Sequence, residues 1–133
     1  MAHRIIETEA DIRAGMRPLR RKCAGMRRAH DAAGDPPLRR REPGLEGLAR
    51  IIVGQQLSVA SAGAIWARTE KAVVPFEAPR LLACSDPELR SAGLSTGKIR
   101  TLRALATAIV DDGLDLTALG ACPHEEITER LTA

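Results

Sequence analysis

The chain has 133 residues and a mass of 14.3 kDa, which provides for one ordinary hydrophobic core and leaves little room for a second. Hydrophobic residues make up 44% and charged residues 28%, which excludes an intrinsically disordered composition, and the formal net charge is only +3. Trp66 and Phe76 are the sole aromatic side chains, so the core must be aliphatic, and a base-gripping platform of several stacked rings is disfavoured.

Thr8 can cap a first helix whose apolar residues Ile12, Met16, Leu19, Cys23 and Met26 recur every three or four positions, with Glu9 and Asp11 favourably placed in its first turn. Pro18 is expected to kink or split it. Gly34-Asp35-Pro36-Pro37 and Glu42-Pro43-Gly44 bracket a basic loop. Residues 1–44 therefore read as an N-terminal basic helix with a Pro-rich loop, and residues 45–133 as a helical domain.

That domain opens with a helix near Leu45 carrying Leu48, Ile51 and Ile52. Gly54-Gln55-Gln56-Leu57-Ser58 interrupts the pattern before Val59, Ala62, Trp66, Thr69 and Val73 resume it, so a sharp turn joins two helices, with Ser58 a natural cap for the second. Pro75 and Pro79 flank the next loop, Leu81-Leu82 begins a short helix, Asp86-Pro87 offers a cap followed by proline, and Gly93 can end that helix in a left-handed conformation. Ser95 or Thr96 caps the clearest helix, with Ile99, Leu102, Leu105, Ala106, Ile109 and Val110 on one face and Asp112-Gly113 as its stop. Leu114, Leu116 and Leu119 form a short apolar stretch, and Pro123 opens a last helix whose Ile127 and Leu131 make an open apolar stripe. No strand pattern of adequate length occurs. The fold class expected is all-α, an orthogonal helical bundle.

Charge is divided unevenly. Residues 1–50 hold 12 Lys or Arg against 7 Asp or Glu, and residues 51–133 hold 8 against 10. Seventeen of the twenty cations are Arg, clustered at Arg20-Arg21-Lys22, Arg27-Arg28 and Arg39-Arg40-Arg41. Such clusters suit phosphate oxygens, and they equally suit a solvated helix face. Cys23, Cys84 and Cys122 lie far apart and His3, His30 and His124 add no cluster, so buried reduced thiols are expected and no metal site. No apolar run approaches the roughly 20 residues of a membrane span, and the N-terminus lacks a signal-peptide pattern, so the expected location is cytoplasmic.

Catalytic templates mostly come up empty: there is no Gly-rich phosphate loop and no His-Glu-x-x-His. Cys122 and His124 flank Pro123 at a helix start, and Asp111, Asp112 and Asp115 fall in a polar turn where carboxylates are normally solvated. Two segments are more informative, Ile52-Val53-Gly54-Gln55-Gln56-Leu57-Ser58 and Gly93-Leu94-Ser95-Thr96-Gly97-Lys98. Adjacent amides at a turn between apolar helices need polar partners. Two uses are open to them: capping backbone groups of the adjoining helices, or entering a DNA groove and filling the gap left by an extruded base.

In combination the two segments resemble the helix-hairpin-helix DNA glycosylases, most closely the bacterial DNA-3-methyladenine glycosylase II group, which carries a similar Ile-x-Gly-Gln-Gln-x-Ser turn and a later Gly-Leu-Ser-x-x-Lys helix start. The resemblance covers residues from about 40 to 133. It implies a cofactor-free hydrolase of base-excision repair whose partner is double-stranded DNA with alkylated bases. It further implies that Gln55 and Gln56 lie at the minor groove and help occupy the vacated space, that Leu57 and Ser58 hold the turn, and that Lys98 is a candidate phosphate contact. The family continues with a Leu-x-Gly-Ile-Gly-type hairpin, an aromatic-rich base pocket and a catalytic Asp. None of these is found here, and the chain contains no Gly-x-Gly. The expectation is thus an incomplete glycosylase fold, truncated before its catalytic Asp, with no catalytic residue of its own and inactive alone, able to self-associate through its unfinished C-terminal face. A non-catalytic helical DNA-binding module and a helical interaction protein are the alternatives.

Overall fold

Nine helices and no strand make up the regular structure of residues 5–132, the part of the chain that the computed structural model describes. The all-α expectation holds. The chain divides into two units, Met1–Arg41 and Glu42–Ala133.

The first unit is a pair of helices, α1 (Glu9–Lys22) and α2 (Ala24–Ala33). Thr8 caps α1 through a reciprocal box with Asp11, its hydroxyl accepting the Asp11 N–H at 3.3 Å while the Asp11 carboxylate accepts the Thr8 N–H at 3.0 Å. Pro18 lies within α1 and does not split it. The break comes at Cys23, which turns to an extended conformation (φ −134°, ψ 113°) and accepts the Met26 N–H on its sulfur at 3.5 Å. Proline removes one hydrogen bond, a loss that a helix continuing on both sides absorbs, whereas the extended Cys23 leaves the helical path altogether. Arg20 is tied internally, its Nη1 donating to Asp31 and to His30 Nδ1, each at 2.7 Å. Because guanidinium only donates, His30 Nδ1 is the acceptor and Nε2 carries the proton toward Asp35 at 2.7 Å. Arg21, Lys22, Arg27, Arg28, Arg39 and Arg41 are exposed.

The second unit comprises α3 (Leu45–Gly54), α4 (Val59–Ala72), α5 (Ala78–Ala83), α6 (Asp86–Ser91), α7 (Thr96–Asp111), α8 (Leu116–Leu119) and α9 (His124–Thr132). Its core joins Val53, Trp66, Leu81, Leu89, Leu102 and Ala106, all nearly or wholly buried, and Trp66 meets Phe76 with ring centroids 5.0 Å apart. Each fully buried Leu contributes about 1.5–3 kcal/mol relative to exposure. Two boundaries differ from the sequence expectation. Pro79 sits in the first turn of α5, where its missing N–H costs nothing, so the helix begins at Ala78 and not at Leu81. Ser85 rather than Asp86 caps α6, because Glu88 three residues on completes a capping box with it.

Of the three thiols only Cys84 is buried, donating to the Ala72 carbonyl at 3.2 Å; Cys23 is exposed and Cys122 half-buried. The expectation that all three are buried is therefore corrected, Cys23 being drawn to the surface by its capping role. Val110, expected on the packed face of α7, is 48% exposed at the helix end. Leu131 of α9 stands beside Leu48, Leu105 and Leu114 in an apolar groove of about 270 Å³. Among the described residues no helix is long and apolar enough to cross a membrane.

Candidate nucleic-acid interface

Helix α3 stops where the chain enters a type II turn, Gly54-Gln55-Gln56-Leu57, closed by the Leu57 N–H on the Gly54 carbonyl at 3.3 Å. Gln55 takes φ −59°, ψ 134°, and Gln56 has φ +57°. Among the described residues Gln56 is alone in being a non-glycine with positive φ. Glycine is the ordinary occupant of that position, and the left-handed region costs an L-residue roughly 1–2 kcal/mol. Backbone held in this way concentrates at functional sites.

Both glutamine side chains are exposed, and neither amide has a hydrogen-bond partner among the described residues. The adjoining helix is capped without them, since Ser58 Oγ accepts the Ser61 N–H at 3.2 Å and donates to Ser61 Oγ at 3.0 Å. Leu57 is 38% exposed beside them. Small residues on α4 bring it close to α3, with Ala62 Cβ 3.6 Å from where a Cβ on Gly54 would stand.

Across from the turn, Ser95 caps α7 by accepting the Lys98 N–H at 3.3 Å. The Lys98 ammonium donates to the Val53 carbonyl at 2.6 Å and to the Gln55 carbonyl at 3.0 Å. With the Gln55 N–H on Ile52 and the Leu57 N–H on Gly54, the carbonyls of Ile52, Val53, Gly54 and Gln55 all have partners. Lys98, a candidate phosphate contact from the resemblance, has its ammonium engaged with the end of α3. One signal for this lay in the sequence, because a cation in the first turn of its own helix opposes that helix's macrodipole unless something else claims it.

The two sequence segments thus face one another across a concavity of about 470 Å³. Gln55, Gln56 and Leu57 line one side, and Ser95, Gly97, Lys98, Arg100 and Thr101 the other. Arg100 is exposed, and no Asp or Glu belongs to the lining. The surface offers amides, hydroxyls and positive charge, which suits a polyanion bearing hydrogen-bonding groups.

Sequence reasoning missed the clamp that ties the middle of α7 to the corner between α5 and α6. Arg103 donates to the Leu82 carbonyl at 3.2 Å, the Cys84 carbonyl at 2.5 Å and Asp86 at 2.7 and 2.9 Å. Nothing in the spacing marks it. Asp111 and Asp112 are exposed, and Asp115 caps α8 through the N–H groups of Thr117 and Ala118 at 2.9 and 3.0 Å. Cys122 has its thiol pushed up by partial desolvation and by the neighbouring Glu126, the wrong direction for a nucleophile. Among the described residues no group of three or more His, Cys, Asp or Glu could hold a metal ion.

No protein-family model and no curated protein matches the chain. Among solved structures it is similar to the crystal structure of a DNA-3-methyladenine glycosidase from Bacillus halodurans, with 33% identity and a TM-score of 0.66. The similarity covers 77% of this chain and 48% of that one, so the chain spans about half the length of its structural relative. Over the matched span it has a glycosylase-like fold.

Proposed function

We propose that the chain is the duplex-engaging part of a DNA glycosylase of base-excision repair, of the helix-hairpin-helix class and the DNA-3-methyladenine glycosylase II group, acting on alkylated purines. The observation that carries the reading is the pair of exposed, unpartnered amides on a turn whose second glutamine is held at φ +57°. Glycine would fill that turn position without strain, so a strained glutamine with a free, exposed amide fits a side chain kept for contact with a duplex. The similarity to a DNA-3-methyladenine glycosidase supports the substrate class.

Excision breaks an N-glycosidic bond through an oxocarbenium-like state that a carboxylate stabilises while water attacks. The nucleotide must first leave the stack, at a cost of a few kcal/mol that a damaged pair reduces. Gln55 and Gln56 serve that step by occupying the vacated space, with Leu57 beside them, Ser58 holding the start of α4, and Arg100 meeting phosphate. Hydrolysis is not assigned to the concavity, which has no carboxylate in its lining.

The test compares binding of the 133-residue chain to a short duplex containing one stable abasic site and to the same duplex intact. The expected result is tighter binding to the gapped duplex, a preference that Gln56→Ala lowers without weakening intact-duplex binding. Equal affinity for both duplexes, untouched by Gln56→Ala, would overturn the reading. Free base released from methylated DNA by this chain would place the hydrolytic carboxylate within it.

A further inference from the structure

Lys98 carries a charge where its own helix disfavours one. It is the third residue of α7, within the turn whose free N–H groups make the positive end of the helix macrodipole. Side chains on a helix lean toward its N-terminus, which directs Lys98 out past Ser95 to the facing end of α3. There the dipole has the opposite sign. The ammonium meets the Val53 and Gln55 carbonyls at 2.6 and 3.0 Å, so the negative end of one helix compensates the unfavourable start of the other.

The Gln55 contact is the informative one. The Gln55 carbonyl belongs to the peptide group between the two central residues of the type II turn, and the orientation of that group decides whether Gln56 takes positive or negative φ. Flipping the peptide would carry the oxygen away from Lys98 and convert the turn to type I, which glutamine adopts without strain. We infer that Lys98 is a positioning residue, a cationic strut that fixes the Gln55–Gln56 peptide and thereby holds the Gln56 side chain in the left-handed conformation from which it meets DNA. This rests on the gap-filling reading for its functional consequence and on geometry alone for its structural one.

The competing role is a direct phosphate contact, and the two roles differ in what they change. A phosphate contact strengthens all duplex binding and steepens its salt dependence. A strut alters only what depends on the turn. Gapped and intact duplexes are therefore titrated at several salt concentrations against the wild-type chain, Lys98→Met, Gln56→Ala and the double variant. Lys98→Met is expected to lower the preference for the gapped duplex by about 10-fold or more, the loss of one hydrogen bond to a charged group, and to leave intact-duplex affinity and its salt slope unchanged. The double variant is expected to lose no more than Gln56→Ala alone. A uniform loss on both duplexes with a flatter salt slope would overturn the strut in favour of the phosphate role.

A second measurement separates failure of the strut from failure of the gap-filling reading. In the DNA-free protein the one-bond Cα–Hα coupling at Gln56 reports the sign of φ, and it is expected to show positive φ in the wild type and its loss in Lys98→Met. Retention of positive φ in Lys98→Met would overturn the inference even where Gln56→Ala abolishes gap preference. Its loss would support the strut even where no gap preference exists. Lys98→Leu, which likewise removes both the donor and the charge, serves the same comparison should Lys98→Met not fold.

Discussion

Arg68 on α4 donates from Nε to the carbonyl of Ala92 at 2.9 Å, and the residue that follows, Gly93, turns with φ +108° directly against Ile65 and Arg68. A Cβ added at Gly93 would lie 3.0 Å from Ile65 Cγ1 and 3.2 Å from Arg68 Nη2. The passage from α6 to α7 is thereby pinned on α4. Gly93→Ala is expected to lower stability by about 1–3 kcal/mol, combining left-handed strain with the crowding, as read from urea denaturation. An unchanged midpoint would mean that the passage relaxes freely.

Gln56 offers a ranking test on the same principle. Asn tolerates the left-handed region and β-branched residues do not. Gln56→Asn and Gln56→Gly are expected to unfold within about 1 kcal/mol of the wild type or above it, and Gln56→Val about 1–2 kcal/mol below it. Equal stability for the Val and Asn variants would contradict positive φ at this position in solution.

Arg103 joins three acceptors on the α5–α6 corner, and only its forked guanidinium can reach them together. Arg103→Met is expected to cost about 1.5–3 kcal/mol by thermal unfolding, and Arg103→Lys to recover less than half of that. Full recovery by Lys would reduce the clamp to a single ion pair with Asp86.

Glu88 supplies a pH dependence. Its carboxylate accepts from the Ser85 N–H at 2.7 Å and the Ser85 hydroxyl at 2.8 Å, and these bonds, with a smaller contribution from Arg80, hold it below the ordinary glutamate range. A folded value lower than the unfolded one means stability that is present above the ordinary range and lost as pH falls through the folded value. NMR titration is expected to place the Glu88 midpoint below that of an unperturbed glutamate, and Ser85→Ala to move it upward. A Glu88 midpoint indifferent to Ser85→Ala would remove the capping box as its cause.

Much of the helical framework is legible in the sequence because caps and periodicity are local. Thr8, Ser58 and Ser95 each cap the helix expected of them, and the aliphatic stripe of α7 packs as its spacing predicts, up to Ile109. Errors arose where two local signals competed. Proline at 18 looked like a break and was not, and Asp86 looked like a cap beside the better-placed Ser85. The interrupted stripe disclosed the glutamine turn but not its handedness, because glutamine has no preference for positive φ and the groups facing it are 43 residues away. Lys98 and Arg103 are visible as charges, but both partners of Lys98 and two of the three of Arg103 are backbone carbonyls, which every residue carries and which leave no trace in composition.

That separation of 43 residues between Lys98 and Gln55 makes the turn a tertiary object. A peptide spanning only α3 and α4 would contain every residue of the loop and lack the ammonium that orients it. Closing so long a segment carries an entropic cost that only the docking of α7 in the core offsets. The left-handed glutamine turn therefore comes into being with the domain and dissolves with it, and its conformation becomes a measure of whether residues 42–133 are folded.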